Sequence, residues 1–174
     1  MGGFDLDTLE TIDIEDLEHD PEIAIALGNL VVAWAMAENV LLGAFCAASN
    51  MHINQAMFGF HRIPTLESKI KVTVGLVENW ATHDYPTDAI VAFIEKIGEL
   101  ATTRNEWIHG IWSTTENKKR TYVYNMRVRN PLKRRKMVHA NAIRQHIKAL
   151  IEITDALADC LPEETPLPRR FVRV

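Results

Sequence analysis

Through most of this chain apolar residues recur every three or four positions, the period of helices packed along one face. Leu27, Val31, Trp34, Leu41 and Phe45 follow that spacing, and Ile25, Val32, Met36 and Val40 cover a second face. Asp20-Pro21-Glu22 is a helix start, with a capping side chain, a proline at the first helical position and then an acid. The pattern predicts a helix from there to about Ser49. A helix apolar on two sides is either central or half of a subunit interface. Residues 50–62 read as a turn and a short helix. Pro64-Thr65-Leu66-Glu67 opens the next helix, to about Trp80, and Asp84-Tyr85-Pro86-Thr87 is a turn. A further long helix carries Ile90, Phe93, Ile94, Ile97, Ala101, Arg104 and Ile108 on one stripe, and Gly110 can stop it.

After Gly110 the period changes. Ile111–Thr115 and Thr121–Arg129 flank Glu116-Asn117-Lys118-Lys119-Arg120. Tyr122, Tyr124, Met126 and Val128 alternate with Val123, Asn125, Arg127 and Arg129, which predicts strands joined in a hairpin. Pro131 ends the second strand, and a last helix is expected over about Val138–Leu161. The fold class is therefore all-α, a four- to five-helix bundle over residues 21–161, with a β-hairpin at about 111–129 inserted before the last helix. Residues 1–20 form an acidic leader, read as poorly ordered or as a short docking helix. Residues 162–174 are a proline-rich, extended tail.

Length and composition add little to that picture. At 174 residues, 47 % hydrophobic and 24 % charged, the chain suits one soluble domain with a sizeable core. Cys46 and Cys160 are far apart in apolar helical contexts and no zinc spacing occurs, so reduced thiols in a cytoplasmic protein without a metal are expected. The acidic N-terminus is unlike a secretory signal, and Leu6 stands where myristoylation favours Ser or Thr. The apolar run Ile23–Ala37 is short, and Gly28 and Asn29 interrupt it, which argues against a membrane span.

Charge changes the picture more. The net −4 conceals a split: residues 1–22 carry nine acids and no Lys or Arg. Residues 104–148 carry twelve Lys and Arg against Glu106 and Glu116, a net of +10. Such a block attracts a phosphate-rich partner, with the acidic leader as a competitor for the same surface, or it is a solvated face.

The basic block begins at Arg104-Asn105-Glu106-Trp107-Ile108-His109. Arg104 lies on the apolar stripe of its helix, and a guanidinium there needs an anionic partner or ligand. Asn105 and His109 are four apart and share a face, so the amide can hold the imidazole in one orientation. Imidazole titrates near neutrality, which suits general acid–base work, and a neighbouring guanidinium suits the charge that builds on a phosphorane. Spacing alone is weak, since about 0.4 Arg-x4-His matches are expected by chance in this composition. A second match, Arg134 to His139, spans an expected linker and helix start.

Arg104-Asn105 and His109, late in a core helix of an all-helical chain, resemble the Arg-polar-x3-His motif of the HEPN superfamily (higher eukaryotes and prokaryotes nucleotide-binding domains). The likeness extends over the helical layout of about residues 20–161. It implies a metal-independent endoribonuclease, often a toxin or defence protein, needing no cofactor and acting on RNA as a homodimer whose two motifs meet. His109 would deprotonate the ribose 2′-OH or protonate the leaving 5′-oxygen, Arg104 would bind the scissile phosphate, and Asn105 would orient the site. The products implied are a 2′,3′-cyclic phosphate and a 5′-OH. Members silenced by a cognate antitoxin protein often carry Tyr two residues after the His, where this chain has Ile111. Other members are not catalytic, so the alternative is a HEPN-like module that binds nucleic acid, a nucleotide or a protein.

Auxiliary candidates follow from the same patterns. Glu38, on the stripe of Trp34 and Phe45, is either a partner for Arg104 or a carboxylate facing solvent or a subunit seam. Trp107 and Trp112 bracket His109 and either stack on a base or pack in the core. Lys118, Lys119, Arg120, Arg127 and Arg129, interleaved with Tyr122 and Tyr124, read as an RNA-gripping arm or as an ordinary half-exposed hairpin. His139 and His146 are seven apart, and His52, His61 and His83 have no ligand spacing. No glycine-rich phosphate loop or Gly-x-Ser-x-Gly occurs, which leaves P-loop and serine-hydrolase chemistry without support.

Overall fold

The first helix begins where its cap predicts. Asp20 Oδ1 accepts from the Ile23 amide at 3.2 Å, and helix α1 then runs Pro21–Ser49. Gly28 and Asn29 lie within it, and it ends where the pattern predicts. By length and composition α1 is long and apolar enough to cross a membrane, and 61 % of its most apolar window is buried within the protein. Asn50, with φ 54°, ends it in the left-handed conformation that asparagine tolerates.

The computed structural model describes residues 9–12, 19–80, 85–115, 120–125, 127–129 and 134–166. Most of the acidic leader, Lys118 and Lys119 at the hairpin tip, and the tail beyond residue 166 lie outside the described residues.

Among the described residues four more helices follow: α2 (Ile53–Arg62), α3 (Leu66–Glu78), α4 (Thr87–His109) and α5 (Ala140–Asp159). Thr65 caps α3, its hydroxyl accepting from the Ser68 amide at 3.1 Å. The protein is a helical bundle with a small antiparallel sheet ahead of the last helix. The sheet is wider than a hairpin. Its strands β1 (Leu9–Ile12), β2 (Ile111–Thr115), β3 (Thr121–Tyr124) and β4 (Lys136–Met137) lie in the order β1-β2-β3-β4. Part of the leader is thus a strand, with Ile12 opposite Trp112, while Trp112 faces Val123 and Tyr122 faces Met137.

Two boundaries differ from the pattern for local reasons. Strand β3 stops at Tyr124 rather than near Arg129, because Asn125 Oδ1 accepts from the Arg127 amide at 2.9 Å and turns the chain. Helix α5 starts at Ala140 rather than Val138, because the Val138 amide donates to the Thr121 carbonyl at 3.0 Å and stays with the sheet.

The chain divides into two compact units, one of residues 1–31 and 102–147, the other of 32–101 and 148–174. In the first, Ile23, Ala26 and Leu30 of α1 pack in one cluster with Trp107, Trp112, Val123, Val138 and Ile143. Each large apolar side chain buried there contributes roughly 1.5–3 kcal/mol. In the second, α4 buries Ile90, Ile94, Ile97 and Ala101, the stripe its sequence shows. Phe60 of α2 meets Phe45 of α1 edge-on at 5.6 Å between ring centroids. Cys46 and Cys160 are both free thiols. Burial raises the Cys46 pKa, and its Sγ donates to the Met51 carbonyl at 3.2 Å.

Gly110 is required by space, not by a left-handed backbone, since no glycine has a positive φ among the described residues. A Cβ there would run into the Glu106 carbonyl and Val123 Cγ2. Gly110→Ala is therefore expected to destabilise the protein by about 1–3 kcal/mol, read as a lowered urea midpoint, and an unchanged midpoint would contradict the close approach. Thr65→Ala removes a helix cap and should cost about 1 kcal/mol in the same titration, with no change expected in the far-UV spectrum of the native protein.

Candidate functional site

The residues that α4 carries into its last turns come from one helical period. Arg104, half-buried, extends the buried stripe of Ile94, Ile97 and Ala101. Its Nη1 donates to Asn105 Oδ1 at 2.9 Å. The Asn105 amide therefore orients the guanidinium, and not the His109 ring that the i,i+4 spacing suggested. His109 is exposed in the final turn of the helix, and its imidazole makes no hydrogen bond among the described residues. Arg104 and His109 stand five residues apart on this helix, the one a group that can hold a phosphate and the other a group that can move a proton.

The second Arg-x4-His match separates from the first on geometry. Arg134 sits in a turn before β4, and His139 precedes α5, so no helix joins them. Arg104 and His109 share one continuous helix.

Glu38, the sequence candidate for pairing Arg104, is engaged by Lys69 at 3.3 Å. Trp107 and Trp112 are corrections to the base-stacking possibility. They are only 7 % and 8 % exposed, within the core cluster, and Trp112 Nε1 donates to the Trp107 carbonyl at 2.9 Å. The end of α4 has to pack on the sheet, and these indoles do that packing. His146 lies against the Trp107 ring, 5.0 Å between centroids. Among the described residues no group of three His, Cys, Asp or Glu is arranged to hold a metal ion.

The aromatic surface that remains on the sheet belongs to Tyr122 and Tyr124, both half-buried. The Arg135 guanidinium lies 5.0 Å from the Tyr122 ring centre, a cation–π contact. Arg120, Arg127, Arg129 and Arg134 are exposed, and no carboxylate pairs with them among the described residues. Two other cations of the same unit are partly neutralised, Lys136 by Glu106 at 2.6 Å and Arg144 by Glu22 at 3.1 Å.

One feature escaped the sequence patterns. A hollow of about 260 Å³ is lined by Glu106, Tyr124, Asn125, Arg134 and Lys136, together with Val123 and Val128. Lys136 had the look of one more cation in a charge run, yet its Nζ bonds both Glu106 oxygens, at 2.8 and 2.6 Å. Only the antiparallel pairing of β4 with β3, with Lys136 opposite Val123, brings it there. No protein-family model, curated protein or solved structure matches the chain.

Proposed function

We propose that this protein is a metal-independent endoribonuclease of HEPN type, acting as a homodimer in the cytoplasm. The observation that carries the reading is the end of α4. There an exposed His109 follows Arg104, whose guanidinium the Asn105 amide orients. The chemistry needs three things at one phosphate: removal of a proton from the 2′-hydroxyl, stabilisation of charge on the non-bridging oxygens, and a proton for the leaving 5′-oxygen. His109 supplies the first or the third, and Arg104 the second. The 2′-oxygen bonds to phosphorus as the bond to the 5′-oxygen breaks, leaving a 2′,3′-cyclic phosphate and a 5′-hydroxyl.

Three further features support the reading. The exposed arginines Arg120, Arg127, Arg129 and Arg134 belong to the same unit as the motif and suit a polyanion. Homodimerisation fits the exposed apolar positions of α1, where Ile25 is 62 % and Val31 48 % exposed. A second copy also brings a second His109, so that base and acid are both present. A toxin or defence role, with or without a cognate antitoxin, belongs to the same reading.

Pure protein incubated with total RNA in EDTA is expected to leave fragments with cyclic phosphate and 5′-hydroxyl ends. His109→Ala and Arg104→Ala should each lower the rate by about 10²–10⁴, with the circular dichroism spectrum unchanged. Equal cutting by all three proteins would assign the activity to another site or a contaminant. Intact RNA from folded dimer would favour the non-catalytic module, which binds nucleic acid, a nucleotide or a protein through the same surface.

A further inference from the structure

The hollow beside the end of α4 combines groups that are seldom neighbours: a carboxylate, an amide, a phenol ring and two cations. Glu106 is three residues before His109 on α4, and residues so spaced stand about 5–6 Å apart at Cβ on a helix surface. Tyr124 is the register partner of Ile111, two residues beyond His109. A Cβ on Gly110 would come within 3.3 Å of the Tyr124 carbonyl, so the strand passes close to the helix end. The hollow therefore lies at the helix end that carries His109.

We infer that this hollow is a nucleotide subsite that selects guanine. The identification rests on the nuclease reading for its place in a reaction, and on its own side chains for the ligand. Tyr124 lines the hollow, and a phenol ring is a surface on which any base can stack. Arg134 and Lys136 suit the phosphate of the same nucleotide. Glu106 makes the selection. An ionised carboxylate only accepts hydrogen bonds, and it offers about four lone-pair positions. Lys136 Nζ takes one position on each oxygen, so acceptor capacity remains. Guanine, alone among the four common bases, offers two adjacent N–H donors on its pairing edge, N1–H and the 2-amino group, which match the two oxygens of one carboxylate. Uracil and cytosine present one donor site each there, and adenine presents a donor beside an acceptor. Asn125 lines the same wall, with its carbonyl oxygen already held by the Arg127 amide, and its NH₂ can donate to guanine O6.

The size agrees with a single nucleotide. At about 260 Å³ the hollow falls just below the range of about 300–1,000 Å³ for drug-sized ligands.

The test measures binding of 5′-GMP, AMP, CMP and UMP by calorimetry to the wild-type protein, Glu106→Gln and His109→Ala. The wild type and His109→Ala should bind GMP at least ten-fold more tightly than the other three. Glu106→Gln should bring GMP within about three-fold of AMP. The ratio between nucleotides is the readout, because removing the carboxylate also frees Lys136 and strengthens any phosphate contact. Tyr124→Leu keeps an apolar side chain in place and should weaken all four nucleotides together. Four equal affinities in wild type, or a guanine preference that survives Glu106→Gln, would overturn the subsite. Mapping RNA fragment ends separates the two readings. Cleavage with no guanosine beside the cut, joined to equal nucleotide affinities, removes the subsite and keeps the nuclease. Guanine-selective binding with uncut RNA removes the nuclease and keeps a site for free guanine nucleotide.

Discussion

The last turn of α4 is pinned to the sheet, and the candidate site depends on that attachment. Trp112 reaches back from β2 to donate to the Trp107 carbonyl, so the helix end and the strand that follows share one buried hydrogen bond. Breaking it would leave a buried indole N–H without its acceptor, which costs about 1–3 kcal/mol. Gly110 lets the chain turn in the space between Glu106 and Val123, where a methyl group has no room. The two indoles fill the interior side of this joint. What remains outside is Asn105, Glu106 and His109, held in a fixed relation because the residues between them are locked. The order of the segment, alternating inward Trp107 with outward His109, is thus a packing requirement with a chemical consequence.

Charge follows the same division between used and unused groups. The basic block of residues 104–148 contains cations that the protein neutralises itself, such as Lys136 with Glu106 and Arg144 with Glu22. Exposed pairs of this kind contribute little to stability, about 0–1 kcal/mol each. Their more useful property is reversibility, since an incoming phosphate or base exchanges partners with them at small cost. The exposed arginines of the β3–β4 region add a field that is felt over about 10 Å at moderate salt. In the proposed reading attraction and selection are separate tasks, the first for Arg120, Arg127 and Arg129 and the second for groups within the hollow.

Periodicity carried most of the fold. The capped start at Asp20, the helix opening at Pro64–Glu67, the α4 stripe from Ile90 to Ala101 and the change to period two after Gly110 all correspond to observed elements. What periodicity missed was non-local. Strand β1 lies in an acidic segment whose pairing with β2 depends on residues about a hundred positions away. Strand β4 is two residues long, too short to show any period. At the site, local spacing placed Arg104, Asn105 and His109 on one helix, but it could not decide which neighbour the Asn105 amide serves. The choice between core and ligand for Trp107 and Trp112 also needed the sheet, because a helical wheel does not show what covers a face. Glu106 was passed over for the same reason, since its partner Lys136 is thirty residues distant.

One helix end with a single imidazole also sets a limit on the chemistry. Cyclising cleavage of RNA moves two protons, one from the 2′-hydroxyl and one to the 5′-oxygen, and a lone His109 accounts for only one of them at a time. Arg104 does not supply the other, because a guanidinium keeps its proton throughout the accessible pH range. Among the described residues, the only carboxylate on the last turn and a half of α4 is Glu106, already engaged by Lys136 and part of the proposed base-reading wall. Beyond α4, two candidates for the missing proton donor or acceptor in the proposed reaction are water and a second His109. Only the second gives the two positioned groups that efficient acid–base catalysis requires, and it demands that two copies of this helix end face one phosphate. Within the proposed reaction a dimer would serve this chemistry, independent of which apolar surface holds the two chains together.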